Sequence, residues 1–308
     1  MTSTASDLSP LIREQVMEEM AILKDSPQRR FRTLLSLFPM IEGRGESIKW
    51  PVNHTGSTGV SFDPENDDYS DTGDQGIAEA VLPWKYIHTS VKISGKAQDV
   101  SRGVMYNDGN VVAQLVEEAT RDLMLTLESQ LAGDGTGNSG KDITGIKAAV
   151  AASGTYAGVD RSSNTWWQSH INDVSGSWSE AEMQESLQAV LNQPRNGRIN
   201  LGITGPAQYH KIANALKNSN PVQFVNTAEI GAGITALYYD GIPIVRIAGY
   251  DNDRLDLINT EDFEIVVIRD VKVRQLGAVN DNDEYAISFG CNLRCRNPRA
   301  QGALINLT

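Results

Sequence analysis

The chain has 308 residues, 40% hydrophobic and 21% charged, which supports a large core and argues against wholesale disorder. Its 27 Lys and Arg face 39 Asp and Glu, a formal net charge of −12. That balance argues against a surface built to grip phosphates, because such grip relies on basic side chains releasing counterions; enclosing nucleic acid without holding it is still allowed.

The N-terminus, MTSTASDLSP, has no basic region and no apolar run, so no signal peptide is expected. Ser9-Pro10 opens a helix by the N-cap and first-position proline rule, and Ile12, Val16, Met20 and Leu23 give it one apolar face. A second short helix runs over 29–38 and ends at Pro39. Residues 1–45 are too few to bury these faces alone, so they are expected to lie against another lobe or another chain. Residues 46–100 read as a long two-stranded arm. One strand lies near 46–53. The other lies near 80–94, where Tyr86, His88, Ser90, Lys92 and Ser94 alternate with Ile87, Thr89, Val91 and Ile93. Seven acids (Asp63, Glu65, Asp67, Asp68, Asp71, Asp74 and Glu79) fall in a region with no Lys or Arg between Trp50 and Trp84. A connection this long needs a function or a partner to order it, and a lone hairpin is marginal in water. The acidic stretch is either a solvated loop or one that docks on a partner, with Arg294, Arg296 and Arg299 as a candidate basic counter-surface.

Residues 107–132 form a long amphipathic helix, about 37 Å at 1.5 Å per residue. Asn107 and Asp108 offer N-cap oxygens. Val111, Leu115, Ala119, Leu123, Leu127 and Leu131 recur every four residues, a stripe that winds around the axis. Gly133, Gly135, Gly137 and Gly140 then end the helix and mark a hinge. Residues 141–262 read as a mixed α/β lobe. Ser179 to Glu182 is a capping box for a helix with Met183, Leu187, Val190 and Leu191 on one face. A strand is expected over 198–204, a helix from Gly205-Pro206 through Lys217, and a hairpin at 236–247 turning on Asp240-Gly241. The tail is mostly strand, near 255–259, 263–268, 271–276, 284–296 and 303–306. Cys291 and Cys295 are the only cysteines. On one strand they would sit about 13 Å apart, beyond disulfide reach, so they are expected to be buried free thiols of a reducing compartment. No stretch approaches 18 apolar residues, so no membrane span is expected.

Several motifs tempt and fail. Residues 135–141 fit both G-x-x-x-x-G-K and G-x-G-x-x-G, yet a phosphate cradle needs a strand before it and a helix N-terminus after it. Here a helix comes first, and Asp142 replaces the hydroxyl that would hold magnesium. Asp134 begins like a calcium loop, but Ser139 and Gly145 stand where glycine and glutamate are due. Asp251-Asn-Asp253 and Asp281-Asn-Asp283 read as solvated turns. His54, His88, His170 and His210 show no ligand spacing. Trp166-Trp167 lacks the basic groove a base-stacking platform would need; only Arg161 is near, so packing is expected. No catalytic, cofactor or metal residue is assigned.

The order of elements resembles the major capsid protein of tailed bacteriophages, the Hong Kong 97-type fold, an α+β architecture. LESQLAGDGTGNSGKDITGI (127–146), YAGVDRSSNTWWQ (156–168), RINLGITGPAQYHKI (198–212) and LYYDGIPIV (237–245) are similar to stretches of that family. The resemblance implies an N-terminal arm (1–45), an E-loop (46–100), a spine helix and hinge (101–142, P-domain), an A-domain (143–262), and C-terminal strands (263–308) of the P-domain that return in part to the A-domain. It implies pentamers and hexamers closing into an icosahedral shell around double-stranded DNA, assembled in the host bacterial cytoplasm. Portal, scaffolding or decoration proteins would be further partners. Met1 leads within about ten residues into the arm, so scaffolding is expected to be a separate protein or unnecessary. Lys49, Lys85, Lys92, Lys96, Asn292 and Asn297 are available for the covalent crosslink of some relatives, and none is assigned. An encapsulin-type compartment shell keeps the same fold with another cargo; a metal-dependent cytoplasmic enzyme is the remaining alternative.

Overall fold

In a computed structural model the described residues are 33–56, 76–96, 111–193, 198–219, 227–230, 234–279 and 281–308. The helix expected before Thr33, the acids from Asp63 to Asp74, and the caps Asn107 and Asp108 lie outside them.

Helix α1 (Thr33–Leu37) leads into β1 (Met40–Glu42). Strands β2 (Ser47–Asn53) and β3 (Ile77–Pro83) form an antiparallel ribbon, Ser47 opposite Pro83 and Asn53 opposite Ile77. Period-2 alternation sets its faces: Ile48, Trp50, Ala80 and Leu82 are buried, while Lys49, Pro51 and Glu79 are exposed. The strand expected to run unbroken from 80 to 94 is interrupted at Trp84. Pro83 has no N–H for a ladder. The Trp84 indole donates to the Gly45 carbonyl at 2.9 Å, and its ring fills the space a side chain at Gly43 would need. β4 (Lys85–Ser94) therefore leaves the ribbon and pairs with β14 (Asn282–Cys295).

That pairing builds a four-stranded sheet in the order β1-β13-β14-β4, where β13 is Phe263–Val279. The two strands read at 263–268 and 271–276 are one. The ladder slips between Val267 and Arg269 and again between Arg269 and Lys272, so the polar Arg269-Asp270 pair marks an irregularity in one strand and not a turn. Helix α2 (Val111–Leu131) packs on β4 and β14. Leu123, Leu127 and Leu131 of its apolar stripe are buried there, at 3% exposure or less.

Past α2 come the short helix α3 (Ile146–Ala149), the two-stranded β5 (Thr155–Tyr156) and β6 (Val159–Asp160), and β7 (His170–Gly176). Helix α4 (Glu180–Leu191) is capped by Ser179, whose hydroxyl accepts from the Glu182 N–H at 3.3 Å. Met183, Leu187 and Val190 are buried, but Leu191 is 56% exposed; one residue on from Val190 is about 100° around the helix. Next are β8 (Leu201–Thr204), α5 (Pro206–Ser219), β9 (Thr227–Ile230), β10 (Ile234–Tyr239), β11 (Ile242–Arg246), β12 (Leu255–Ile258) and β15 (Gly302–Leu307). The β10–β11 turn is the expected one, with Asp240 and Gly241 at φ 50° and 78°.

These strands make a seven-stranded sheet in the order β7-β15-β12-β8-β11-β10-β9, so the last strand of the chain does return to this lobe. Its central strands β8 and β12 are buried on both faces. Leu255 and Leu257 face a core with Met183, Leu187 and Ile212 of α4 and α5. Ile258, Leu201 and Ile203 face a second core that reaches Trp167, Phe263 and Leu127. That second core welds the two sheets together through residues 143–169. Leu127, fully buried at its centre, is the test point: Leu127→Ala should cost about 2–5 kcal/mol, read as a lower chemical-denaturation midpoint.

Candidate functional site

The region that organises this molecule is the joint where α2 ends and the chain crosses between sheets. The Gly133 N–H bonds the Gln130 carbonyl at 2.9 Å. The Gln130 side chain accepts from the Ile143 N–H at 3.1 Å, closing a glycine-rich excursion. Within it Asp134 accepts from the Thr136 N–H and hydroxyl at 3.0 and 2.8 Å, bonds that hold its carboxyl below the usual range. Gly135 and Gly140 both lie at φ 76°, and Asn138 and Ser139 at 48° and 57°, so left-handed backbone turns the chain. The Lys85 ammonium bonds the Gly140 carbonyl from outside. Gly145 then seats on the helix end: a Cβ there would lie 2.5–2.6 Å from the carbonyl oxygens of Gly133, Leu131 and Gln130.

Asn292 of β14 locks this joint. Its side-chain oxygen accepts from the Thr144 N–H at 2.9 Å, and its NH2 donates to the Pro83 carbonyl at 2.8 Å. One buried amide thus ties the four-stranded sheet, the root of the β2–β3 ribbon and the start of the second lobe. Of the groups considered for a crosslink, Asn292 is fully buried and engaged, and Lys49 sits 3.9 Å from Glu79. The phosphate-loop motif lies in a turn between α2 and the four-residue α3, with no strand before it.

Trp167 is buried, its indole donating to the Tyr156 carbonyl at 3.0 Å. Arg161, 1% exposed, spends its guanidinium on the carbonyls of Trp167, Ser153, Ala148 and Ala149 at 2.6–3.3 Å. The cation nearest the tryptophan pair in sequence therefore holds the 148–169 loop together. Trp166 stacks on His54, just past the far end of β2, with ring centroids 4.4 Å apart. The two rings line a groove of about 520 Å³ with Pro51, Asp262, Arg296 and Arg299. The candidate basic surface sits beside it and is largely spoken for. Arg294 and Arg296 both bind the buried Glu264 carboxylate, and Arg294 also lies 5.8 Å from the Trp50 ring centre. Arg299 donates to the Gln193 side chain at 2.6 Å.

Sequence reasoning missed the buried ion pair of the second lobe. Arg254 forks onto Asp256 at 2.7–2.9 Å and reaches the Val150 carbonyl at 2.6 Å, while the Tyr250 hydroxyl donates to Asp256. Asp256 stands in an apolar alternation, and its partners come from a preceding turn. Cys291 and Cys295 are buried free thiols on one strand, as expected; burial pushes Cys291 up to about 12. Among the described residues no group of three or more His, Cys, Asp or Glu gathers, and no helix is long and apolar enough to cross a membrane.

A two-stranded ribbon, a long helix on a four-stranded sheet and a helix-covered second lobe define the Hong Kong 97-type capsid fold. The family model of the SU10 major capsid protein matches residues 85–308, and the chain belongs to that family. Its role is structural, that of a capsid subunit of the tailed-phage type. The match starts at the first residue of β4, so α1, β1 and the ribbon lie outside it. No curated protein matches the chain. Among solved structures it resembles the capsid subunit of cyanophage A-1(L), at 17% identity and a TM-score of 0.69, covering 89% of this chain and 92% of that one. It also resembles the capsid of the native GTA particle, at 14% identity and 0.65, covering 90% and 91%. The SrpI encapsulin from Synechococcus elongatus PCC 7942 is similar at 12% identity and 0.62, covering 90% and 87%.

The joint has a direct test. Asn292→Ala leaves the Thr144 N–H and Pro83 carbonyl without their partner and should cost about 1–3 kcal/mol, seen as a lower unfolding midpoint and faster amide exchange at Thr144.

Proposed function

We propose that this chain assembles with itself, as pentamers and hexamers, into an icosahedral shell enclosing double-stranded DNA. The shell is that of a virion built in the cytoplasm of a bacterial host, with portal, scaffolding or decoration proteins as further partners. The observation that carries this is the family match over 85–308. In this assignment α2 and the four-stranded sheet are the P-domain, the seven-stranded sheet is the A-domain, the ribbon is the E-loop, and residues 1–45 are the N-arm. The ribbon supports it: Ile77 is 65% exposed near the ribbon's far end, where apolar surface calls for a neighbour. The second reading, a compartment shell around a protein cargo, is favoured by the likeness to the SrpI encapsulin.

Negative-stain microscopy of the purified chain tests self-assembly. Uniform closed particles are expected, and small oligomers only would overturn it. Particles filled with duplex DNA when isolated from infected cells separate the virion from the compartment. A subunit of net charge −12 should pack DNA without adhering to it, so free capsomers should bind duplex DNA weakly at physiological salt. Tight, salt-sensitive binding would contradict that.

The glycine excursion is proposed as the hinge between the two domains during shell maturation. Its ends are held by Gln130, Asn292 and Gly145, so a turn of one domain against the other requires these contacts to give. Gly140, at φ 76° with open space where a Cβ would go, allows a clean test. Gly140→Ala should leave the subunit folded, at a cost of about 1–2 kcal/mol, and should impair particle expansion; normal expansion would refute the hinge.

A further inference from the structure

We propose that the groove beside Trp166 is a nucleotide site, taking a nucleobase against the stacked Trp166 and His54 rings and its 5′-phosphate on Arg296 and Arg299. In the sequence Trp166-Trp167 lacks a basic groove, because Arg161 is the near cation and the fold spends it on backbone carbonyls. The fold supplies other cations from the far end of the chain. The turn Thr165–Trp167 packs against the turn Pro298–Ala300, and Arg296 and Arg299 come to line the same groove as Trp166. The site does not depend on whether the chain forms a shell.

The aromatic wall is in place before any ligand arrives. The Trp166 and His54 rings are nearly parallel, with centroids 4.4 Å and planes 16° apart. The His54 Nδ1 lies 2.8 Å from the Thr55 hydroxyl, and Gly76 passes so close that a Cβ there would sit 2.3 Å from the imidazole. Behind Trp166 the buried Trp167 ring leans on it at 5.5 Å. Rings held in this way are not ordered again on binding, which removes a usual cost of association. Every nucleobase has a π-face to extend such a stack. The groove, about 520 Å³, is of the size that small-molecule sites have.

The polar groups of the groove suit the rest of a nucleotide. The Arg296 N–H is fixed on the Asp262 carbonyl at 2.8 Å, and its guanidinium gives one nitrogen to Glu264. Arg299 uses its Nε on the Gln193 side chain at 2.6 Å. A guanidinium carries several N–H donors in a fork that matches phosphate oxygens, so each arginine is positioned by one bond and keeps donors for the ligand. Asp262 lines the groove as well. Its Oδ2 accepts from the Asn259 and Gln301 side chains at 3.2 and 3.0 Å. Among the described residues its Oδ1 has no such bond, and it can accept from the N–H edge of a base. Two guanidiniums against one carboxylate make the groove cationic in a chain of net charge −12. Bases inside a duplex are stacked and paired and cannot reach this wall, whereas a free nucleotide or a single strand presents them. The site therefore agrees with weak binding of duplex DNA.

The test titrates deoxynucleoside 5′-monophosphates into the whole purified chain, read by tryptophan fluorescence and calorimetry. A monophosphate should quench the fluorescence and bind at least about tenfold more tightly than inorganic phosphate or the matching nucleoside. Trp166→Ala should weaken it roughly 5- to 150-fold, and Trp166→Phe should keep most of the affinity. Arg299→Gln should weaken the monophosphate and leave the nucleoside unchanged, a split that a damaged fold would not produce. A single-stranded homopolymer that binds more tightly than the monophosphate names a strand as the source of the base, and equal affinity names the free nucleotide. Displacement of the monophosphate by duplex DNA, inorganic phosphate binding as tightly as the nucleotide, or affinity unchanged in Trp166→Ala and Arg299→Gln would overturn the site. Microscopy of the same sample scores the shell separately. Closed particles without bound nucleotide would reject the site alone, and bound nucleotide without particles would reject the shell alone.

Discussion

The route of the chain depends on how closely the returning backbone can approach the end of α2. Three oxygens at the end of α2 converge on Gly145 within 2.6 Å of where a Cβ would be. Only a residue without a side chain can come so close. The second lobe is thereby set at a fixed distance from the helix, and the Gln130 side chain holds the return strand of the turn. From this contact follow the positions of α3, the 148–169 loop clamped by Arg161, and the inner face of the seven-stranded sheet. The glycines between are then free of structural duty at their ends, and left-handed backbone carries the reversal.

The two sheets differ in how they use their faces. The centre of the seven-stranded sheet is closed on both sides, by α4 and α5 and by the core it shares with the other lobe. Among the described residues the four-stranded sheet is covered by a helix, α2, on one side only. A shell subunit needs both kinds: a lobe whose shape does not change and a surface on which neighbours can bear. Asn292 stands at the boundary, bonding parts of the chain 148 and 209 residues away, so the ribbon root cannot shift without disturbing the start of the second lobe.

Much of this was legible in the sequence because its signals are local. The Ser179 cap, the Asp240-Gly241 turn and the Leu123, Leu127, Leu131 stripe each depend on residues a turn or less apart, and each appears where it was read. The misreadings have long-range causes. The break at Trp84 depends on Gly43 and Gly45, some forty residues back, while the local β-propensity runs straight through it. Arg269-Asp270 looks like a turn by composition, yet a full-length partner strand absorbs it as an irregularity. Arg161 showed only as a basic residue near the tryptophan pair, since its backbone-carbonyl partners leave no mark in a sequence. Arg294 and Arg296 looked free because Glu264, their shared partner, lies thirty residues away on the neighbouring strand.

The two thiols carry a last consequence. Cys291 and Cys295 are the whole sulfhydryl content of the chain, and both are sealed in the sheet core. Burial holds them protonated, and an unionised thiol is a poor nucleophile toward oxidants. A change from a reducing to an oxidising medium therefore meets no thiol placed to react, and the sulfur chemistry of the sheet core stays as it was folded.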